Sequence, residues 1–568
     1  MLYKKPLFVA VNSRFTHSNP AVYCLKSYLK SCGLHADLME FNINGQVLDM
    51  LSAIVEYKPD IVGFSCYIWN VKMIGTLTKM LKKVLPECKI LWGGPEVNAS
   101  AEKWFAEHKE IDFVIEGEGE LPWQKLLEKA EKDTDFSDVP NLLWKKTESE
   151  IVKNPKGDYV DLSLIPFYYD EEDLRDLKNR IIYYESSRGC PFGCKFCVSS
   201  TEPVRYRDLE LIKSDLQKLV ACGCKKIKFV DRTFNSNKKR TVEILEYLLS
   251  LYHPGLCFHL ELEPMCLDSS LVDILTKAPA GYFQAEIGVQ SLYDPALKAV
   301  GRKNLTAEST ELIKKLLAND NIHIHLDLIG GLPYETLSEF KNSFDGLYKI
   351  FPHYLQLGFL KILPGTPLAD KAEVYGLDYV DEPPYQVLQT QWLSYDDMQE
   401  LSATEHAVDD YYNEMFFEET LKIAVDEWQK SGKRPFEFFN QLGKADLAID
   451  GGKNQYQKAE ILLSFIKNQM PNIADLVTES IKVDFTKAKM HLPAFVEQID
   501  GMSILKEKYD GLLSKMPELE TLPKRKWLKK YQVFEIKCDV GDLTRGVYAA
   551  DLENTVGIWQ RPVLIKLD

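Results

Sequence analysis

The chain has 568 residues, 45% hydrophobic and 27% charged, with 12 cysteines and a formal net charge of −15. The composition is globular, the length suits about three domains, and the acidic balance argues against a dedicated nucleic-acid binder, which needs a basic face for phosphates. The N-terminal apolar run is broken by Asn12, Ser13 and Arg14, and no run reaches membrane-span length, so a cytoplasmic, reducing setting is expected, with cysteines used as ligands or core residues and not as disulfides.

The first 131 residues form one expected domain. Apolar runs at 7–11, 36–41, 60–69, 89–94 and 111–117 are short and bounded by turn residues, and stretches of helical spacing separate them. Five strands alternating with helices predict a doubly wound parallel sheet, Rossmann-like in plan. Ligands of such sheets bind beyond the carboxyl ends of the strands. Those ends read "VNSRFTH", "FNIN", "SCYIWN", "GGPE" and "EGEGE", small, polar and glycine-rich. No G-x-G-x-x-G follows the first strand and no phosphate-cradling G-x-x-x-x-G-K-[ST] occurs. A sheet that binds nothing remains open on pattern alone.

Residues 132–180 read as a linker with a hairpin in "NLLWKKTESEIVKNP" and an exposed acidic stretch. From 181 to 369 the alternation resumes, with strands expected at 181–187, 226–231, 257–264, 282–291, 322–331 and 355–365. Six strands with helix-length crossovers predict a partial TIM-type barrel. On three of these strands one face is polar: His259, Glu261 and Glu263, then Gln284, Glu286 and Gln290, then His323, His325 and Asp327. A parallel sheet covered by helices should be apolar on both faces, so the polar face predicts a substrate and cofactor chamber; a self-paired polar interior is the alternative. Residues 370–568 read as mostly helical, with strands at "YQVFEIKCDV" and "RPVLIKLD" and a basic, solvated helix face at 523–531.

The densest cysteine cluster follows the first barrel strand. Cys190, Cys194 and Cys197 are spaced C-x3-C-x2-C in a loop turned by Gly189, Pro191 and Gly193. Thiolates bind zinc or iron–sulfur clusters. No histidine lies between His108 and His253, although Cys222 or Cys224 could complete a zinc site. A four-iron cluster on three cysteines keeps one iron open, as catalytic metal sites do.

This loop, the strand set and the crevice domain before it resemble the cobalamin-binding radical S-adenosylmethionine enzymes over roughly residues 1–370. The resemblance implies a [4Fe–4S] cluster on Cys190, Cys194 and Cys197 whose open iron binds S-adenosylmethionine and cleaves it to methionine and a 5′-deoxyadenosyl radical. It implies that Phe196, before the third cysteine, contacts adenine, that Glu263, Gln290 and Ser291 face S-adenosylmethionine, and that Gly330 and Gly331 leave room for the adenine. The Gly-Gly-Glu element that holds the methionine amino group is replaced by "SSTEP", offering Ser199, Ser200 and Glu202. Ser65, Gly93, Gly94, Glu116, Gly117 and Glu118 stand where the family's loops face cobalamin. Asp-x-His-x-x-Gly, the motif that supplies a histidine to cobalt, is absent, so His17 is expected to be a hydrogen-bonding loop residue.

By the same resemblance the expected activity is methylation of an unactivated carbon of a small molecule or peptide, with an electron donor such as flavodoxin or ferredoxin and no membrane. Radical oxidation, cyclisation or rearrangement needs the same two sites and stays open. A tRNA methylthiotransferase-like role is disfavoured by the acidic charge, and a cobalamin carrier or sensor leaves the three-cysteine loop unexplained.

Overall fold

Strand propensity and burial together set the first sheet. The computed structural model describes residues 3–129, 135–147 and 150–567; the expected boundary at 131/132 lies outside them. Five parallel strands, β1 (Pro6–Asn12), β2 (Asp37–Asn42), β3 (Ile61–Ser65), β4 (Lys89–Gly93) and β5 (Phe113–Ile115), follow the expected alternation with helices. β1 and β3 are buried along their whole length, as strands covered on both faces must be. Leu7, Val9 and Val11 join a core with Met50, Ile54, Ile74, Leu77 and Trp104 from the helices Val47–Tyr57, Val71–Val84 and Ala101–Glu107. On the other face, Phe8 meets Trp123 of the helix Glu120–Glu128 edge-on, ring centroids 4.8 Å apart.

The expected linker hairpin adds to this sheet. β6 (Leu142–Thr147) pairs antiparallel with β5, and β7 (Glu150–Lys153) with β6, giving the order β2-β1-β3-β4-β5-β6-β7. Leu142, Leu143 and Trp144 are buried there, and the Trp144 indole donates to Asn154 at 3.2 Å. Three consecutive large apolar side chains need cover on both faces, and an edge of an existing sheet supplies it.

The chain divides into two units. One comprises Met1–Ile274, Lys298–Arg302 and Leu360–Gln391. Besides the first sheet it contains β8 (Ile181–Tyr184), β9 (Lys226–Phe229) and β10 (Cys257–Leu262), parallel and in that order.

The other unit comprises Leu275–Leu297, Lys303–Phe359 and Trp392–Asp568. It holds β11 (Phe283–Gln290), β12 (Ile322–Gly330) and β13 (Tyr354–Phe359), again parallel. Burial alternates residue by residue along β11 and β12, matching the expected division into an apolar and a polar face. Helices fill residues 395–487, and a π-helical turn at Val408–Tyr412 places Asn413 against β13. The Asn413 amide accepts from Leu355 N at 2.8 Å and donates to Leu355 O at 3.1 Å, supplying the hydrogen bonds of a missing neighbour strand. The chain ends in an antiparallel sheet, β14 (Tyr531–Ile536), β15 (Gly546–Val556) and β16 (Arg561–Lys566). β15 has no counterpart in the strand pattern of the sequence, because alanines and acidic residues interrupt its alternation. Among the described residues no helix is long and apolar enough to cross a membrane.

Candidate functional site

The three-cysteine loop is fastened at both ends. At its entry Asp231, 1% exposed, accepts hydrogen bonds from Ser186 N, Ser186 Oγ and Ser187 Oγ at 2.7–2.8 Å. Burial pushes the Asp231 carboxyl up to about 6, against those donors. Further along, Lys195 N donates to Val300 O at 2.9 Å, Lys195 Nζ to Ala299 O at 2.8 Å, and Leu368 N to Lys195 O at 2.9 Å. Two glycines permit this closeness. A Cβ on Gly189, whose φ is +85°, would lie 2.3 Å from Pro203 O, and one on Gly301 would lie 2.5 Å from Gly193 O.

Each thiol has its own surroundings. Cys190 Sγ lies 3.4 Å from Thr233 Oγ1. Cys194 is buried and accepts from Arg302 Nη1 at 3.3 Å, while Arg302 Nη2 is 3.0 Å from Glu263 Oε2. Burial pushes the Cys194 thiol up and the guanidinium opposes it. The Glu263 backbone is held in turn by Asn235, which donates to Glu263 O at 2.9 Å and accepts from Glu263 N at 2.8 Å. Arg302 was missed by sequence reasoning: it lies more than 100 residues downstream of the cysteines, and "VGRKN" carries no motif that ties it to them.

The spread of the thiols separates the two metal readings. Around one zinc ion, Zn–S bonds of about 2.3 Å at tetrahedral angles put sulfurs about 3.8 Å apart. Among the described residues the one group of three ligand atoms all within 4.8 Å of one another is His406, Asp410 and Asp446. The three thiols are not such a group, so at least one pair of their sulfurs lies more than 4.8 Å apart, wider than a single zinc ion holds its ligands. A cubane places each cysteine on a different iron and so does not require the sulfurs to share one ion.

A cavity of about 530 Å³ opens beside the loop. Gly189, Ser199 and Glu202, flanking the cysteines, line it together with Ser65, Gly93, Gly94, Gly117 and Glu118 from the carboxyl ends of the first sheet. Glu116 instead turns to Lys153, 3.0 Å away. Ser200 Oγ donates to Cys197 O at 2.7 Å, and Phe196 is half-buried between the second and third cysteines. The floor includes Phe8, Gly63 and Trp123; a Cβ on Gly63 would lie 2.4 Å from the Trp123 ring. Asn19 Oδ1, on the cavity wall, is buried without a hydrogen-bond partner among the described residues, an orphan that a bound molecule would satisfy. Glycines for close approach, an apolar floor and an unsatisfied amide suit a large amphiphilic ligand such as cobalamin.

Most charges around the cavity are paired. Arg188 lies 2.9 Å from Glu120, 3.2 Å from Glu118 and 2.8 Å from Glu185, Arg205 also pairs with Glu118, and Lys228 is 3.3 Å from Glu261. Burial, then the charge on Glu118, pushes the Glu202 carboxyl up. His17 Nδ1 lies 2.6 Å from Tyr183 Oη, and burial followed by the Arg14 charge lowers its pKa. Its ring is thus engaged in a hydrogen bond from the loop.

The remaining expected residues lie in the second unit. Gln290 has a φ of +73° just after a register shift in β11. Ser291 is fully buried; its Oγ donates to Glu335, and Ser343 Oγ also donates to Glu335 at 3.2 Å. Burial raises the Glu335 carboxyl to about 7, and its Oε2 is buried without a partner among the described residues. A Cβ on Gly330 would lie 2.7 Å from Leu401 Cδ1, and Gly331 has a φ of +96°. At the other end of these strands the polar side chains pack on rings: Gln284 Nε2 is 2.7 Å from His325 Nε2, Tyr354 stacks on His325 at 4.5 Å, and Trp559 meets His323 edge-on at 5.0 Å.

Comparison with known proteins agrees with this layout. Residues 6–127 match the B12 binding domain, residues 184–347 the Radical SAM superfamily, and residues 373–555 a family described as a protein of unknown function, DUF4080. The chain is 26% identical over 362 residues to the cobalamin-dependent radical SAM methyltransferase TokK of Streptomyces tokunonensis, covering 60% of this chain and 52% of that protein. The chain thus spans about half the length of that curated relative. In fold it is similar to the cobalamin-dependent S-adenosylmethionine radical enzyme OxsB, with a TM-score of 0.62, 15% identity and coverage of 86% of this chain and 82% of that one. It is also similar to the radical S-adenosylmethionine methyltransferase TsrM of Kitasatospora setae, with a TM-score of 0.57, 16% identity and coverage of 67% and 80%.

Proposed function

With a B12-binding domain over residues 6–127 and a radical SAM domain over residues 184–347 in one chain, we propose that the protein is a cobalamin-dependent radical S-adenosylmethionine methyltransferase acting on an unactivated carbon of a small molecule or peptide. One observation carries this reading: loops from the first sheet and the flanks of the three-cysteine loop line a single cavity. When bound, S-adenosylmethionine and the cluster supply a radical and cobalamin a methyl group.

The chain's own residues would then divide the work. Cys190, Cys194 and Cys197 hold the cluster. Arg302, beside Cys194 and Glu263, offers a fixed cation for the methionine carboxylate, and Glu202 a carboxylate for its amino group, in the place of the absent Gly-Gly-Glu. Ser65, Gly93, Gly94, Gly117 and Glu118 face cobalamin, with Asn19 Oδ1 as a further contact, and His17 stays on Tyr183. For Phe196, Glu116, Gln290, Ser291, Gly330 and Gly331 the assignment rests on the resemblance alone. A reducing cytosol and a flavodoxin- or ferredoxin-type donor complete the reading.

Stoichiometry tests the activity. With the true substrate, 5′-deoxyadenosine and S-adenosylhomocysteine should form in equal amounts, because one S-adenosylmethionine generates the radical and another restores the methyl group. Deoxyadenosine without S-adenosylhomocysteine would favour oxidation, cyclisation or rearrangement. Electron paramagnetic resonance of the Co(II) form should show no nitrogen splitting from a protein histidine, and His17→Ala should leave that spectrum unchanged.

A further inference from the structure

Arg232 differs from the other cations around the cavity. Arg188, Arg205 and Lys228 each sit against a carboxylate. Arg232 also lines the cavity, with an exposed side chain, and among the described residues its guanidinium makes no ion pair or hydrogen bond. Its backbone is not free to wander. It follows Asp231, which holds Ser186 and Ser187, and precedes Thr233, whose hydroxyl lies 3.4 Å from Cys190 Sγ. Both neighbours are buried, so Arg232 is fixed at the carboxyl end of β9, beside the cluster loop. Across the cavity stands Tyr67, which follows β3 and stacks on Trp69 with centroids 4.4 Å apart; burial pushes its phenol up, and the Ser65 hydrogen bond and then the Arg232 charge oppose that. The free cation therefore stands between the two groups of loops that meet at the cavity.

A guanidinium in that position is well solvated only while water fills the chamber. As ligands displace the water, a cation without a counter-charge becomes costly, and a matching anion recovers that cost. Its planar fork fits a carboxylate or phosphate through two parallel hydrogen bonds. We propose that Arg232 is a substrate-recognition residue that binds a carboxylate or phosphate group of the substrate. This rests on the methyltransferase reading for the word substrate; the anion site itself does not. The same chemistry could come from the phosphate of cobalamin's nucleotide tail, and the experiment separates the two.

Protein reconstituted anaerobically with iron, sulfide and hydroxocobalamin, then reduced to Co(II), is titrated with inorganic phosphate and with acetate at constant ionic strength. Paramagnetic relaxation of their 31P and 13C nuclei reports binding near the metal. Wild type should show saturable enhancement; Arg232→Gln should weaken it about tenfold or more, and Arg232→Lys should retain part of it. Iron content should stay at the wild-type level in both variants. Equal enhancement in wild type and Arg232→Gln overturns the proposal. It is also overturned if Arg232→Gln weakens hydroxocobalamin binding but not that of cobinamide, which lacks the nucleotide phosphate, because the anion is then the cofactor's own. Phenylglyoxal modification mapped by mass spectrometry gives a reading that needs no cofactor. Phosphate should slow modification of Arg232, and no protection there would overturn the proposal. A wild type that takes up neither cluster nor cobalamin yet shows that protection would sink the methyltransferase reading and leave the anion site standing.

Discussion

The cavity of the first unit and the strand bases of the second are both made from polar side chains on or close to parallel strands, and they end differently. Around the cavity, glycines and short polar residues leave space, and charged groups meet across it: Arg188 gathers three carboxylates while Arg232 faces the open volume. In the second unit the polar residues near the start of β11 and β12 are filled in by rings, with Trp559, Tyr354 and His353 closing on His323 and His325. A polar strand face therefore signals a ligand chamber only where its loops are too small to cover it. Where aromatic neighbours are available, the same pattern becomes part of the packing.

The sharpest way to break this contrast is at the cysteines. Replacing Cys190, Cys194 and Cys197 together by Ala should remove all cluster iron and sulfide, about four of each per chain, measured after anaerobic reconstitution. A triple variant that keeps its iron would show that the loop beside the cavity is not the metal site. Next in size is Arg188→Ala, which leaves Glu118, Glu120 and Glu185 close together without their cation. Removing one partner of such a buried network should cost about 3 kcal/mol, read as a lower urea midpoint of the cofactor-free protein, with Arg188→Lys recovering part.

In the second unit the expected effect depends on pH. The folded state raises the Glu335 carboxyl to about 7 from 4.5, so between those values the native chain keeps a proton that the unfolded chain has lost. The stability tied to Glu335 is fully present below about 4.5 and is lost as pH rises through about 7. Glu335→Gln, neutral at every pH, should therefore gain on wild type between pH 5 and 8, by at most about 3 kcal/mol. A constant difference across that range would mean the carboxyl is ionised in the fold. The smallest effect belongs to Trp559→Ala, which uncovers His323 and His353. It should cost about 2 kcal/mol, seen as a lowered thermal midpoint, and should leave cluster content unchanged.

Much of this was legible in the chain. The five strands of the first sheet and the six of the central region are local signals: apolar runs of strand length, bounded by turn residues, with helical spacing between them. The cysteine loop was legible for the same reason, since its three cysteines lie within eight residues. The hairpin at 142–153 was visible as a hairpin but not as an extension of the first sheet, because strand pairing is set by which edge is uncovered. β15 was not visible, because its alternation is broken.

By itself the sequence determined the order of sheet and helix, the polar and apolar faces of the strands, and the presence of a thiolate loop on a strand end. These follow from backbone propensity and side-chain period, which act over a few residues. Only the tertiary structure decided that Arg302 sits on Cys194, that Asp231 fastens the loop, and that Glu116 turns away while Glu118 stays at the cavity. It also decided that, among the described residues, Arg232 is left without a partner where Arg188 has three. Apart from Arg188 with Glu185, such pairings join residues tens to more than a hundred positions apart. They depend on which side chains the folded backbone brings within hydrogen-bond reach, a distance that no local spacing encodes.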